Sequence, residues 1–171
     1  MKNRFQLLTV AFAMIGALPL QSFSCWGHEP DAVLAGWAET VSFGKLKLTL
    51  KAKLDTGART SSLHAQDIQM FQRDGTDWVR FAVPGKTGSK RVFERPLHRM
   101  SAVRRAGTAL EKRPVVLLSA CVAGIDRVAE FNLKNRSGMR FPVLIGRTFL
   151  RDDILVSSSA RNLHHGQCPA R

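Results

Sequence analysis

Leu46, Leu48 and Leu50 alternate with Lys45, Lys47, Thr49 and Lys51, which predicts a half-buried strand running into Leu54-Asp55-Thr56-Gly57. Trp78 to Val83 alternates in the same way, breaks at Pro84-Gly85-Lys86-Thr87-Gly88 and resumes over Lys90 to Glu94, the pattern of a β-hairpin around a glycine-containing loop. Pro114 to Val122 is an almost unbroken apolar run, as expected of a strand buried on both faces. Arg127 to Leu133 alternates again, ends at the turn Asn135-Arg136-Ser137-Gly138 and hands over to a strand over Arg140 to Ile145. A short helix over 147–153 and a last strand, Ile154-Leu155-Val156, complete the reading. Strands dominate, so the chain is expected to be all-β, a barrel or closed sheet.

The N-terminus departs from this pattern. Lys2 and Arg4 precede the apolar run Leu7 to Leu20, and Ser22-Phe23-Ser24 supplies a small-x-small cleavage site, so residues 1–24 read as a signal peptide and the protein as periplasmic or secreted. The run contains Gly16 and Pro19 and is short for a membrane anchor. Cys25 after Ser24 raises a lipoprotein form, which Ser22 disfavours because it stands where a lipobox carries Leu. Residues 25–171 suit one domain, with a core over 36–156 and a polar tail over 157–171. Cys121 lies in the apolar strand, either as core or as one end of a disulfide with Cys168 or Cys25.

The formal net charge is +13. The excess concentrates in residues 79–113, where ten Lys and Arg, from Arg80 to Arg113, face only Glu94 and Glu111. Such a region attracts anionic partners, whether acidic polypeptide or an anionic envelope surface, unless it is simply a solvated face. Export argues against nucleic acid, and the chain carries no nucleic-acid motif.

The candidate chemistry lies in two segments, Asp55-Thr56-Gly57-Ala58 and Val143-Leu144-Ile145-Gly146-Arg147. A carboxylate that activates water needs a fixed backbone setting, and a loop between strands with a glycine lets backbone N–H groups approach it. The second segment reads as a buried strand whose Gly146 allows close passage beneath that loop. The plain alternative is an ordinary strand-to-turn junction. Only one Asp-Thr-Gly occurs, so a second carboxylate must come from a symmetry mate.

Gly36-Trp37-Ala38-Glu39, Lys51 to Ala65 and Leu133 to Arg147 together resemble the bacterial retropepsin-like family often labelled "ATP-dependent zinc protease". The resemblance implies a retropepsin-like acid-protease barrel with one half-site per protomer, a homodimer, and aspartic endopeptidase activity on a polypeptide substrate. Asp55 would be the catalytic residue, with Thr56, Gly57, Ala58, Ile145, Gly146 and Arg147 supporting it. The loop Gly85, Lys86, Thr87, Gly88 would be the flap, unless it is a static surface hairpin. Arg59 stands where retroviral proteases carry an acidic residue that pairs with the second-motif Arg, so Arg147 needs another partner. A non-catalytic module of this fold, acting on an envelope protein partner, is the rival expectation.

Neither half of the label finds residues to carry it. His28-Glu29 is followed by Pro30 with no His at position 32, so the metalloprotease helix is missing. His164, His165 and Cys168 are ligand-capable, but a His pair so near the C-terminus reads as solvent-exposed, and His64 reads as structural. Gly85-Lys86-Thr87 lacks the upstream glycine of a phosphate loop. The expected reaction needs no metal and no cofactor.

Overall fold

The computed structural model describes residues 31–85, 89–103, 107, 109–165 and 168. The predicted signal segment, Cys25 and the loop residues Lys86, Thr87 and Gly88 lie outside the described residues. The strands are β1 (Val33–Gly36), β2 (Ala38–Phe43), β3 (Leu48–Asp55), β4 (Ser61–His64), β5 (Gln66–Arg73), β6 (Thr76–Pro84), β7 (Lys90–Pro96), β8 (Arg99–Val103), β9 (Glu111–Val122), β10 (Ile125–Lys134), β11 (Val143–Gly146) and β12 (Ile154–Ser157). A single helical turn, α1 (Arg147–Leu150), separates β11 from β12.

Six strands in the order β10-β4-β11-β3-β2-β9 close into a barrel, because β9 pairs with β2 along one edge and with β10 along the other. Strand β8 adds to the free edge of β9, β5-β6-β7 form a separate antiparallel sheet, and β1 pairs in parallel with β12. The all-β barrel expected from the alternation is the fold of the chain. In β3 the alternation sets the faces: Leu48, Ala52 and Leu54 are buried, whereas Thr49, Lys51 and Lys53 are exposed. Along β9 the apolar run is buried except at Leu117, which is 44% exposed. Phe43 and Phe131 meet edge-to-face at 5.3 Å inside the barrel, an arrangement that adds about 0.5–1.5 kcal/mol to the burial of the two rings.

The polar tail is stitched to the barrel. Trp37 N donates to Ala160 O at 2.9 Å and Asn162 N donates to Ala38 O at 2.8 Å, so residues 160–162 lie against the backbone of 37–38 like an added strand. The fully buried Glu39 carboxylate accepts N–H bonds from Gly36 and Leu163 at Oε1 (2.8 and 2.9 Å) and from His164 at Oε2 (3.1 Å). Three backbone donors replace the water that this carboxylate gives up on burial. The His164 ring lies 2.9 Å from Leu34 O, while His165 is exposed as its position suggested. Of the two pairings open to Cys121, the structure contains the bond to Cys168. Closing a loop of 47 residues restricts the unfolded chain by about 4 kcal/mol on the chain-entropy account.

Candidate active site

Asp55 is the last residue of β3, where the pleat places it on the exposed face of the strand with Lys51 and Lys53. Gly57 N donates to Asp55 Oδ1 at 3.1 Å, and Ala58 N donates to Asp55 O at 3.2 Å, which turns the chain sharply after the strand. Lys53 Nζ stands 3.5 Å from Oδ2. The carboxyl side chain keeps 26% of its surface open to solvent, with the exposed Thr56 and Gly57 beside it.

Strand β11 supports this loop from beneath. It runs parallel to β3, with Ile145 opposite Leu54 and Gly146 opposite Asp55, and antiparallel to β4 on its other edge. Ile145 is fully buried. Gly146 N donates to Ser61 Oγ at 3.1 Å, Arg147 N to Ala58 O at 2.8 Å, and Thr148 N and Oγ1 both donate to Arg59 O. A Cβ on Gly146 would stand 2.8 Å from Arg59 O and 2.9 Å from Ala58 O. The two sequence segments, 88 positions apart in the chain at Ala58 and Gly146 (146 − 58), are therefore one structural unit. Among the described residues the exposed Arg147 guanidinium has no hydrogen-bond or ion-pair partner. Ser61 and Thr148 carry part of the support, and sequence reading passed over both because nothing in a Ser or Thr distinguishes one that anchors a loop.

A cavity of about 880 Å³ opens beside the loop, bordered by Ala58, Arg59 and Thr60 on one side and by β8, β9 and β10 on the other. Its polar lining is largely pre-paired. Glu130 binds Arg99 through two hydrogen bonds and His98 Nε2 at 3.3 Å, and the Arg99 guanidinium holds its carboxyl below the usual range. Arg113, only 8% exposed, donates to Glu111 at 2.5 Å and to Asn132 at 3.5 Å, leaving its Nε buried without a partner, as is Ser62 Oγ. None of the described residues of the β6–β7 hairpin lines this cavity; Gly85 closes its own loop by donating to Ser89 O at 2.7 Å. The hairpin beside the cavity is β8–β9, and no apolar alternation announced β8.

His64 is 8% exposed and its Nδ1 accepts the Arg136 N–H at 2.8 Å; burial pushes its pKa down, so it stays neutral as a structural side chain. Cys168 is consumed by its bond to Cys121, and the His164 ring by its contact with Leu34 O. Among the described residues no three His, Cys, Asp or Glu side chains stand together as metal ligands.

Glu111 carries a pH prediction. Hydrogen bonds from Arg113 and then Lys134 lower its pKa from 4.5 to about 2. A depressed carboxyl pKa stabilises the fold above about pH 4.5 and loses that contribution as pH falls toward 2. Glu111→Gln should therefore unfold at lower denaturant than the parent at about pH 6, and the gap should close at about pH 2. A constant gap would show that the pair contributes nothing through ionisation.

Residues 34–166 match the RimB-like family, described as retropepsin-like aspartic endopeptidase RimB. The chain belongs to that family. A protein of unknown function from Legionella pneumophila has a solved structure that superposes with a TM-score of 0.66 at 35% identity, covering 77% of this chain and 97% of that one. Two relatives are named probable alpha-L-glutamate ligase. The one from Desulfotalea psychrophila is 34% identical over 72% of this chain and 27% of its own length. The one from Shewanella halifaxensis is 32% identical over 64% of this chain and 25% of its own. The chain thus spans about a quarter of the length of these relatives.

Proposed function

We propose that this RimB-like chain is an aspartic endopeptidase whose active form is a homodimer, with Asp55 of each protomer supplying one carboxylate. The observation that carries the reading is the Asp55 loop itself: a strand-end carboxylate, oriented by the Gly57 N–H and underpinned by the Gly146 crossing, with its outer side open. Two such carboxylates brought together cannot both ionise cheaply, so the pair shares one proton. The ionised member deprotonates water, and the protonated member donates to the substrate carbonyl as the tetrahedral centre forms. On collapse the first gives its proton to the departing amine while the second takes back the proton from a hydroxyl of the tetrahedral diol, which restores the shared-proton pair. Thr56 braces the two loops, and no covalent intermediate is needed. The substrate is a polypeptide, and the arginines around the cavity, together with relatives named as glutamate ligases, favour an acidic one.

Lys53, 3.5 Å from the Asp55 carboxylate, and the exposed Arg59 and Arg147 of the two motif segments add positive charge, which also suits an anionic envelope surface for an exported chain. The Cys121–Cys168 bond agrees with an oxidising compartment. A non-catalytic role as a partner-binding module is favoured by one observation, the occurrence of this segment within much longer ligase-named chains.

Dilution separates the two readings. A half-site enzyme loses specific activity as protomers dissociate, whereas a binding module has no activity to lose. Specific activity on an acidic peptide should fall in step with the dimer fraction measured by sedimentation. A fully active monomer would end the shared-dyad reading.

A further inference from the structure

The peptidase reading makes no use of the buried Glu39 or of the tail segment bound to it. Trp37 and Ala38 lie between two neighbours. On one side they bond Ala160 and Asn162; on the other, Leu54 N donates to Trp37 O at 2.9 Å and Ala38 pairs with Lys53, one and two residues before Asp55. The tail is therefore the outermost layer behind the strand that carries the Asp. It is held in the middle by the Glu39 carboxylate and at its end by Cys168. Lys51 Nζ adds a bond to Asn162 Oδ1 at 2.8 Å. Gly36 marks how close the layer sits, since a Cβ there would lie 2.5 Å from Arg161 Cα and 2.7 Å from Ala160 O.

We propose that residues 160–165, closed by the Cys121–Cys168 bond, form a redox-sensitive latch that positions the Asp55-bearing strand, with Glu39 as the positioning residue. A dithiol reductant opens it: the S–S bond takes two electrons and two protons to become two thiols, and the reductant closes to its own disulfide. Freed at one end, the strap keeps only its hydrogen bonds, which exchange with water far more readily than a covalent tether. Glu39 then has to find water for the donors it loses, and the backbone of 37–38 loses its outer neighbour.

The consequence for cleavage rests on the peptidase reading, but the positional consequence does not. Hydrogen exchange on the whole exported chain, oxidised and after dithiothreitol, reads both. The Leu163 and His164 amides should exchange at least about 10-fold faster in the reduced protein, and the Leu54 amide should follow. Trypsin should cut after the exposed Arg161 only in the reduced form, and oxidised glutathione should restore resistance. Gly36→Ala should open the strap with the disulfide intact, and kcat should fall about 10-fold with KM nearly unchanged, because the strand rather than the cavity has moved. Equal exchange at Leu163 and His164 in both redox states overturns the latch. An opened strap with Leu54 unmoved overturns the positioning role. Absence of cleavage in every form would defeat the peptidase reading alone, since the exchange and trypsin results are read without it.

Discussion

Asp55→Asn is expected to leave the barrel folded and to abolish peptide-bond cleavage. The substitution keeps the size of the side chain and an oxygen for the Gly57 N–H, so the loop geometry seen at 3.1 Å survives. In the proposed homodimer it removes the ionisable group from both half-sites at once. A general acid–base group contributes about 10²–10⁴ in rate, and in the proposed dyad Asp55 supplies both the acid and the base, so the loss should reach several orders of magnitude. Thermal unfolding should change little, because Asp55 is partly exposed and its one cation is the half-exposed Lys53. Undiminished proteolysis by the purified variant would remove Asp55 from the mechanism. Unfolding of the variant at the parent's working temperature would show instead that the Asp holds the loop.

The parts of the fold that were legible were those where burial enforces a period. Strand β3 was readable because one face meets the core and the other meets water; β9 was readable because nearly every position is apolar. Strand β5, Gln66–Arg73, gave no such signal, since its half-buried Ile68 and Phe71 stand three positions apart, off the two-residue period, with an exposed Met70 between them. Its neighbours hold it: Phe71 stacks against Trp78 across the strand pair, and Arg73 lies over both rings. Strand β8, Arg99–Val103, was hidden because it pairs with β9 only at its edge and faces the cavity with polar residues. Both strands exist through the next strand in the chain, β6 for β5 and β9 for β8, rather than through an alternating buried face of their own, which the pattern within either strand cannot report.

The site divides in the same way. Asp55, Gly57 and Gly146 were legible because a motif constrains backbone as well as side chain. Glu39 lies in a segment that resembles the family yet shows no role in the sequence, because two of its three donors lie more than 120 positions downstream at Leu163 and His164, where the sequence shows only a polar tail. The disulfide choice likewise depended on where the tail runs. Cys121 and Cys168 have Cα atoms 6.0 Å apart, and the segment before Cys168 is held along 37–39 by the bonds of Ala160, Asn162, Leu163 and His164.

Gly146→Ala should damage both the fold and the Asp55 loop. The added Cβ would stand 2.8 Å from Arg59 O and from Thr60 C and 2.9 Å from Ala58 O, all of them backbone atoms that no rotamer change can clear. Either β11 withdraws from beneath the loop, giving up the Gly146–Ser61 and Arg147–Ala58 bonds, or the loop lifts and carries Asp55 with it. Overpacking of this kind costs about 1–3 kcal/mol, and a shift of about 1 Å at a catalytic group costs about 10² in rate. Gly138→Ala is the matched control: no atom lies within 4 Å of a Cβ there, so its stability should stay within about 0.5 kcal/mol of the parent. Denaturant unfolding and peptide cleavage, measured together on both variants, check the argument. If Gly146→Ala were as stable and as active as Gly138→Ala, the crossing of β11 beneath Ala58–Thr60 would not be the support that fixes Asp55.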